Sequence, residues 1–275
     1  MMDPYITFQL NYKSQAHQKL NLDYWDLDLD LSEKHSKSTL EKELVEVSES
    51  LFELQYKLYA ENKRSLLVVL QGIDASGKDG TVRHVMRALN PQNCYIKSFN
   101  IPNDEELSHD YLWRIHKAIP RKGQICIFNR SHYEDLTEPV VVGSISRKIL
   151  KQRYRQINEF ERYLSENDIV ILKIFLYISK PEQKKRLLAR IQDPNRRWKI
   201  SESDVVGHKN YQKYMDAYKD IFKYTNKKSA PWFIIPANTK YFRNWAVSKI
   251  LLKTLESMKP EYPRINLDPN KFNLS

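Results

Sequence analysis

Short apolar runs alternate with stretches of helical periodicity along most of this chain. The apolar runs predict strands buried on both faces, over 66–70, 95–99, 125–128, 170–177 and 232–235. Apolar residues at steps of three and four predict helices over 81–89, 104–117, 144–165, 181–191, 203–225 and 241–258. Strands that alternate with helices indicate an α/β chain. We expect a three-layer αβα fold with about five mainly parallel strands and right-handed crossovers.

A further apolar stripe precedes the first predicted strand. Leucine and valine recur at steps of three and four through 38–63, which predicts one long helix. We therefore expect an N-terminal extension over 1–63 that ends in this helix, a core over 64–258 and a C-terminal tail over 259–275. No linker rich in glycine, serine or proline divides the chain into two domains.

Composition excludes several classes of protein. With 41% hydrophobic and 12% aromatic residues, the 275-residue chain is typical of a globular protein and not of a disordered one. Its strongest apolar run, 169–178, contains Lys173 and is far shorter than the ~18 residues that predict a membrane span. The first residues lack the basic flank and apolar stretch of a secretory signal. Cys94 and Cys126 lie in separate predicted strands, so we expect reduced thiols and a cytoplasmic location.

The charge balance points to an anionic partner. Lysine and arginine number 45 against 34 aspartate and glutamate residues, a formal net charge of +11. A basic excess attracts nucleic acid, nucleotides and inorganic phosphate chains alike, and it also fits a merely soluble basic surface. Charge alone therefore leaves the partner open.

Half of the six glycines lie in one loop, between the first predicted strand and the helix after it. The loop reads Gly72-Ile-Asp-Ala-Ser-Gly77-Lys78 and matches the Walker A pattern G-x-x-x-x-G-K in a strand–loop–helix context. Glycines let backbone N–H groups converge on phosphate oxygens, the helix start adds positive potential, and the lysine adds a mobile cation. The predicted phosphate-binding residues of this loop are Gly72, Ala75, Ser76, Gly77, Lys78, Asp79 and Gly80.

Two carboxylates distinguish this loop from the usual pattern. Asp79 stands where Ser or Thr normally binds magnesium, and Asp74 lies within the loop itself. A carboxylate that faces bound phosphates is repelled by them unless a cation lies between the two. Asp74 therefore predicts a Mg2+ ion between its carboxylate and the phosphates, and Mn2+ is expected to replace Mg2+ there. Asp74 is also predicted to help orient the phosphoryl acceptor. The alternative is an ordinary acid at a helix N-terminus, which is the favoured interpretation for Asp79.

The third predicted strand runs into the segment Phe128-Asn-Arg-Ser-His-Tyr-Glu-Asp135. Asn129 occupies the strand-end position where a P-loop protein normally carries the acid that completes the magnesium site. We expect Asp135 to supply a second carboxylate to the metal, with a place in a surface loop as the alternative. Arg130 follows a buried strand at the edge where ligands bind in open α/β sheets, and is predicted to contact phosphate. His132 is expected to be a packed histidine.

A basic segment follows the fourth predicted strand and its helix. It reads Arg190-Ile-Gln-Asp-Pro-Asn-Arg-Arg-Trp-Lys199 and concentrates four cations. Such a proline break between amphipathic helices is where a phosphoryl-transfer enzyme would carry a lid, here over about 190–210. Arg196 and Arg197 are placed to act as arginine fingers, and Lys199 is a further predicted phosphate contact. A solvated basic face is the alternative for these cations. Trp198 is expected to pack the lid, with stacking on a nucleotide base as the alternative.

Taken together, these motifs resemble those of the polyphosphate kinase 2 family. The matching segments are 72–78, 128–135, 193–201 and 230–237. The resemblance covers about 38–258 and implies a P-loop kinase fold related to thymidylate kinases, with a helical lid and a dimeric or tetrameric assembly. It also implies Mg2+-dependent, reversible transfer of the terminal phosphoryl group of inorganic polyphosphate to a nucleotide.

The resemblance further implies roles for particular residues. In the family, the Walker A aspartate and lysine, the arginine after the strand end and the lid arginines serve the reaction. In this chain they are Asp74, Lys78, Arg130, and Arg196 or Arg197. The expected acceptor is a purine nucleoside diphosphate, ADP or GDP. AMP stays open as an acceptor, because the segment 129–135 resembles branches of the family that also use monophosphates.

Three rival functions share part of this pattern. An ATP-dependent nucleoside or nucleotide kinase has the same loop and lid, but normally carries Ser or Thr in place of Asp79. A P-loop ATPase or GTPase requires a strand-end aspartate in place of Asn129, and the chain has no N-K-x-D motif. A nucleic-acid-binding protein would explain the charge but not the loop. We rank the rivals in that order behind polyphosphate transfer, and expect neither a membrane nor a nucleic acid as partner.

Overall fold

Five parallel strands form the sheet that organises the fold. The computed structural model describes residues 3–10 and 36–264. The strands are β1 (Ser65–Gln71), β2 (Cys94–Ser98), β3 (Ile125–Asn129), β4 (Ile169–Tyr177) and β5 (Trp232–Pro236). They lie in the order β2-β3-β1-β4-β5, and each pair of neighbours is parallel. The predicted α/β fold with five parallel strands is therefore confirmed.

Helices cover both faces of this sheet. In the described residues they are α1 (Pro4–Phe8), α2 (Lys37–Glu61), α3 (Lys78–Met86), α4 (Asp104–Ser108), α5 (Trp113–His116), α6 (Glu134–Val142), α7 (Arg147–Glu166), α8 (Lys180–Gln192), α9 (Glu202–Lys209), α10 (Tyr211–Thr225) and α11 (Lys240–Met258). Helix α11 packs against α1, α2 and α3, whereas α10 packs against α6 and α7. Strand β4 contacts both α7 and α11, as expected for a strand that is buried on its two faces.

The long N-terminal helix shares the core of the sheet. Its apolar stripe buries Leu40, Val47, Leu51 and Leu58 in the same hydrophobic cluster as β1, which is buried at every position. The division of the chain at residues 63 and 258 remains a prediction. Residues 1–2, 11–35 and 265–275, which belong to the predicted extension and tail, lie outside the described residues.

Two segments predicted as single helices are each divided. The segment 104–117 forms α4 and α5, because the Asp110 side chain accepts a hydrogen bond from the N–H of Leu112 at 3.0 Å and stabilises a turn. The segment 203–225 forms α9 and α10, which meet at Asn210. Short polar side chains that compete for backbone hydrogen bonds thus interrupt a continuous apolar pattern.

Helix α6 escapes the sequence prediction altogether. Pro139 lies inside it and lacks the N–H that would bond to the carbonyl of Asp135 one turn earlier. The guanidinium of Arg153 on α7 donates to that carbonyl at 2.6 Å instead. A tertiary contact therefore replaces the missing helical hydrogen bond, and the local sequence gives no sign of it. No helix among residues 3–10 and 36–264 is long and apolar enough to cross a membrane.

Candidate active site

The glycine-rich loop connects the carboxyl end of β1 to the first turn of α3. Gly72 and Gly77 have φ angles of +153° and +104°, and Ala75 has +63°. A Cβ atom on Gly72 would lie 2.9 Å from the carbonyl oxygen of Leu176 on β4. The loop therefore passes too close to the neighbouring strand for a side chain, and the predicted Walker A geometry is formed.

Two buried hydroxyl groups in the loop and the first turn of α3 have no hydrogen-bond partner within the described residues. They are the hydroxyls of Ser76 and Thr81. Lys78 is buried and donates to the carbonyls of Gly72 and, at 3.3 Å, of Ile73. Burial lowers the pKa of this lysine. Lys78 is thus folded back onto the carbonyls of its own loop.

Asp74 and Arg130 face each other across a cleft at this edge of the sheet. Arg130 Nη2 lies 3.1 Å from Asp74 Oδ1, and both residues line the cleft together with Lys78. Arg130 directly follows β3 and has a φ of +64°. This left-handed conformation costs a non-glycine residue about 1–3 kcal/mol and is frequent at functional sites. The structure therefore brings together three of the predicted catalytic residues.

A carboxylate that sequence reasoning missed completes the cleft. Glu134 is the first residue of α6 and lines the cleft, as does Glu138 one turn later. Burial raises the pKa of Glu134 to about 7, although Arg130 opposes the shift. With the Gln71 amide oxygen accepting from Ser131, the amide nitrogen donates to Glu134 Oε1 at 2.9 Å.

Asp135, the carboxylate expected at a metal site, does not line this cleft. Its Oδ2 lies 3.7 Å from Arg114 Nη2. Successive residues of a helix point about 100° apart, so only one of two adjacent acids can face the loop once α6 begins at Glu134. The structure does not bring Asp135 to Asp74, and its part in metal binding stays a prediction. The unrecognised helix α6 is the reason that Glu134 was overlooked.

Two arginines that the sequence did not single out support the loop from behind. Arg186 on α8 donates to the carbonyls of Ala75 and Ser76 at 3.0 and 3.1 Å, and to two carbonyls just after β5 at 2.6 and 2.7 Å. Arg243 on α11 is buried against Gly77 and Gly80. Burial lowers its pKa to about 10, and Arg186 adds to the shift. Both arginines lie far from the loop in sequence, so no local pattern could identify them.

Helix α9, in the segment predicted to be a lid, approaches the loop at Asp74. A Cβ atom on Gly207 would lie 3.4 Å from Asp74 Oδ2. His208 Nδ1 lies 2.8 Å from Gln183 Oε1, and Gln183 Nε2 donates to the carbonyl of Asp74 at 3.1 Å. Helix α9 and the loop are therefore joined by a hydrogen-bonded chain through α8.

Asp79 and Lys199 meet at the first turn of α3. Asp79 accepts from Asn129 Nδ2 at 3.0 Å, and Lys199 Nζ lies 3.5 Å from its other oxygen. Burial opposes the charged form, but Asn129 and Lys199 more than offset it, so the pKa of Asp79 lies below its usual value. Asp79, which replaces the usual Ser or Thr of the loop, thus hydrogen bonds to Asn129, which replaces the usual acid at the end of β3.

The two predicted arginine fingers bind within their own segment. Arg196 Nε lies 2.9 Å from Asp193 Oδ2, and Arg197 Nε donates to the carbonyl of Ile191 at 2.7 Å. Both are exposed, and neither lines the cleft. Trp198, which was expected to pack the lid, is 76% exposed, so that expectation is wrong.

Comparison with known families agrees with this geometry. A family model described as polyphosphate kinase 2 (PPK2) matches residues 34–263. The chain belongs to the polyphosphate kinase 2 family. The match confirms the resemblance that the motifs carry, and with it that the protein is an enzyme.

Relatives of known name cover nearly the whole chain. The AMP/ADP-polyphosphate phosphotransferase of Meiothermus ruber is 42% identical over 253 residues, which are 92% of this chain and 95% of the relative. The ADP-polyphosphate phosphotransferase of Rhodopseudomonas palustris is 37% identical over 261 residues, 90% and 89% of the two chains. The crystal structure of polyphosphate kinase 2 from Arthrobacter aurescens superposes with a TM-score of 0.91 at 37% identity, over 97% of this chain and 94% of that one.

This polyphosphate kinase 2 cleft suits a divalent cation shared with substrate. Its acidic lining residues, Asp74, Glu134 and Glu138, offer carboxylate oxygens, the ligands that Mg2+ prefers. In the part of the chain that the structure describes, no three His, Cys, Asp or Glu side chains form a metal-binding group by themselves.

Proposed function

We propose that this chain transfers the terminal phosphoryl group of inorganic polyphosphate to a purine nucleoside diphosphate, ADP or GDP, in a reversible reaction. The observation that carries the proposal is the cleft in which Asp74, Lys78 and Arg130 meet beside a Walker A loop. The names of the Meiothermus and Rhodopseudomonas relatives support the same donor and the same class of acceptor.

The reaction exchanges one phosphorus–oxygen bond for another. The bond between the terminal phosphorus atom and the bridging oxygen of polyphosphate breaks, and the bridging oxygen keeps the electron pair. A new bond forms between that phosphorus atom and a terminal phosphate oxygen of the acceptor. The protein's part is therefore alignment and neutralisation of charge rather than covalent catalysis.

The residues of the cleft divide this work between them. We propose that Lys78 exchanges its bonds to the Gly72 and Ile73 carbonyls for phosphate oxygens, and that Arg130 binds the transferring phosphoryl group. The unpartnered hydroxyl of Ser76 and the N–H groups of the loop are further donors. The arginines behind the loop add positive potential without leaving their carbonyl partners.

Asp74 is proposed to hold Mg2+ against the phosphates, with Glu134 as the second carboxylate of the cleft. When bound, the ion supplies the positive charge that lets an acidic loop face a polyanion. We expect Mn2+ to substitute, because it also favours oxygen ligands. Arg130 already pairs with Asp74, so the carboxylate is held in the cleft before any metal binds.

AMP is proposed as a second acceptor. The relative from Meiothermus ruber carries both AMP and ADP in its name, and it is 42% identical to this chain. Extension of AMP would give ADP, which the same site would then extend to ATP.

Product formation tests these proposals directly. The purified chain is incubated with Mg2+, long-chain polyphosphate and, separately, AMP, ADP, GMP or GDP, and the nucleotides are separated by chromatography. Triphosphate from ADP or GDP is the expected result. Transfer to AMP or GMP only when ATP replaces polyphosphate would instead establish an ATP-dependent nucleotide kinase.

The role of Asp74 has its own test in the same assay. Asp74→Asn removes the charge that holds the cation, and we expect turnover to fall at least about 100-fold. Asp216→Asn, an exposed acid on α10, is the matched control. Full turnover in Asp74→Asn would contradict the proposed metal-binding role.

Assembly and location are proposed from less specific features. We infer a homodimer or homotetramer from the family resemblance, and static light scattering of the purified chain tests it. Cys94 and Cys126 are buried and unpaired, which suits a reducing compartment such as the cytoplasm.

A further inference from the structure

A buried ion pair lies in the core, away from the cleft. Lys173 on β4 and Glu161 on α7 are 0% and 2% exposed, and their charged atoms are 2.7 Å apart. Taking two charges out of water is costly, and apolar residues of similar volume are often equally or more stabilising in such positions. Stability alone is therefore a weak explanation for this pair.

The pair holds two consecutive residues of the connector between β3 and α6. Glu161 Oε1 accepts from the Tyr133 hydroxyl at 2.7 Å and lies 3.3 Å from His132 Nε2. Lys173 Nζ donates to the same Tyr133 hydroxyl at 2.9 Å and to the carbonyl of Thr225 at 2.8 Å. His132 and Tyr133 are themselves buried, which confirms the packed histidine expected from the sequence.

The carboxylate is a charged acceptor in this cluster. Burial by itself would raise the pKa of Glu161, but Lys173 and His132 more than offset it, so the pKa lies below its usual value. Hydrogen bonds to an ionised acceptor are roughly twice as strong as neutral ones. The cluster therefore fixes the Tyr133 side chain more firmly than apolar packing alone would.

The connector carries two residues of the cleft. Arg130 precedes His132 and Tyr133 in the connector, Glu134 follows them directly, and both Arg130 and Glu134 line the cleft. A non-glycine residue persists in the left-handed region, as Arg130 does at φ +64°, only where its surroundings fix it. On the cleft side the connector is held by the bond from the Arg130 N–H to the carbonyl of Leu70 at 3.1 Å. On the core side, the cluster around Glu161 binds the connector through the side chains of His132 and Tyr133.

We propose that Lys173 and Glu161 are positioning residues for phosphoryl transfer. Acting through Tyr133 and His132, they fix the connector in the conformation that directs Arg130 and Glu134 into the cleft. Neither lines the cleft, so their effect on the reaction is indirect. The inference rests on the proposed function, which supplies its assay. A misplacement of about 1 Å can cost an active site ~100-fold in rate.

Two double variants test the proposal, and each removes both charges of the pair while leaving the net charge of the protein unchanged. Glu161→Leu with Lys173→Met replaces the pair by apolar side chains and leaves Tyr133 and His132 without an acceptor. Glu161→Gln with Lys173→Met also removes both charges but keeps an amide oxygen that can accept from Tyr133 and His132. The readouts are kcat and KM for polyphosphate-dependent phosphorylation of ADP, and the melting temperature.

We expect the Leu/Met variant to lose about 10- to 100-fold in kcat, and its melting temperature to fall because the buried Tyr133 and His132 donors lose their acceptor. The Gln/Met variant should recover most of kcat. Equal kcat in the Leu/Met variant and the wild type would overturn the proposal, as would equal losses in the two double variants.

Tyr133→Phe keeps the test decisive if the Leu/Met variant fails to fold. It retains the ring and removes only the hydroxyl that joins Lys173 and Glu161 to the connector. We expect a 5- to 10-fold fall in kcat, of the order of one lost hydrogen bond, with little change in KM. An unchanged kcat in this variant would contradict the inference. Absence of polyphosphate-dependent transfer in the wild type would instead contradict the proposed function, and the two failures are thus distinguished.

Discussion

The phosphate-binding loop and the lid segment both carry clustered positive charge, but the structure holds their cations in different ways. Three cations around the loop bind its backbone carbonyls: Lys78 and Arg243, which are buried, and Arg186, whose side chain is 11% exposed. In the lid, Arg196 and Arg197 are exposed and bind atoms of their own segment. We therefore expect phosphate to meet a backbone loop that is already formed, where Lys78 exchanges carbonyl partners for phosphate, whereas Arg196 and Arg197 would have to leave their own segment to reach it. The first region is thus expected to be preorganised, and the second to depend on closure of the predicted lid.

Gly77→Ala is expected to have the largest effect on the phosphate-binding loop. The residue has a φ of +104°, and a Cβ atom there would lie 1.9 Å from Arg243 Nη1. Either the loop or the buried arginine must move, so we expect polyphosphate-dependent kcat to fall at least about 100-fold. The melting temperature should fall as well, and both are measured on the purified variant.

Gly143→Ala is the matched control for that substitution. Gly143 also has a positive φ, +75°, but a Cβ atom there would meet nothing within 4 Å. It should show backbone strain of about 1–2 kcal/mol in the free energy of unfolding and near-normal kcat. Equal kcat in the two variants would mean that the fit of Arg243 against the loop does not matter to the reaction.

The lid side is tested by removing its arginines one at a time. If closure delivers them to the transferring phosphoryl group, Arg196→Ala or Arg197→Ala should lower kcat by about 1,000-fold, the lower end of the range known for arginine fingers. Both side chains are exposed, so the melting temperature should not change. Arg155→Ala, an exposed arginine on α7, is the control. A kcat equal to that of the control in both lid variants would leave the lid without a catalytic arginine.

The same contrast explains what the sequence could and could not predict. The strands, their parallel arrangement and the Walker A loop follow from local patterns, since each is encoded within a few consecutive residues. Arg186 and Arg243 escaped because they reach the loop from distant helices. Glu134 escaped because α6 depends on Arg153 to satisfy the carbonyl that Pro139 leaves free. Local motifs therefore predict the position of the candidate cleft, while tertiary contacts decide which side chains line and support it.

Glu134 provides a pH-dependent test of the cleft. Burial raises its pKa from 4.5 to about 7, so between these values the folded chain binds more protons than the unfolded chain. Its contribution to stability therefore decreases as the pH rises through this range. Glu134→Gln removes this pH dependence. At alkaline pH its free energy of unfolding should exceed that of the wild type by on the order of 1–3 kcal/mol, with no difference near the pKa of Glu134 in the unfolded chain.

The measurement is the melting temperature of the ligand-free protein across about pH 5 to 8. Glu138→Gln is the control, because that acid lines the same cleft but is exposed. A difference between Glu134→Gln and the wild type that stays constant with pH would show that Glu134 does not titrate in this range.

Lys199 and Asp79 join the two regions of the comparison, and their substitution should have the smallest effect. The ion pair between lid and loop spans 3.5 Å, with side chains 39% and 72% exposed. Exposed pairs contribute about 0.2–1 kcal/mol and are screened by salt. Lys199→Ala and Asp79→Asn should therefore each change kcat/KM by less than about fivefold, and the double variant should resemble either single one. If Lys199 contacts phosphate, as the sequence predicts, Lys199→Ala should lower kcat/KM much more than Asp79→Asn, and the two effects should add. The double-mutant cycle, measured at low and high salt, thus decides whether this lysine serves only as the ion-pair partner of Asp79 or belongs to the phosphate site itself.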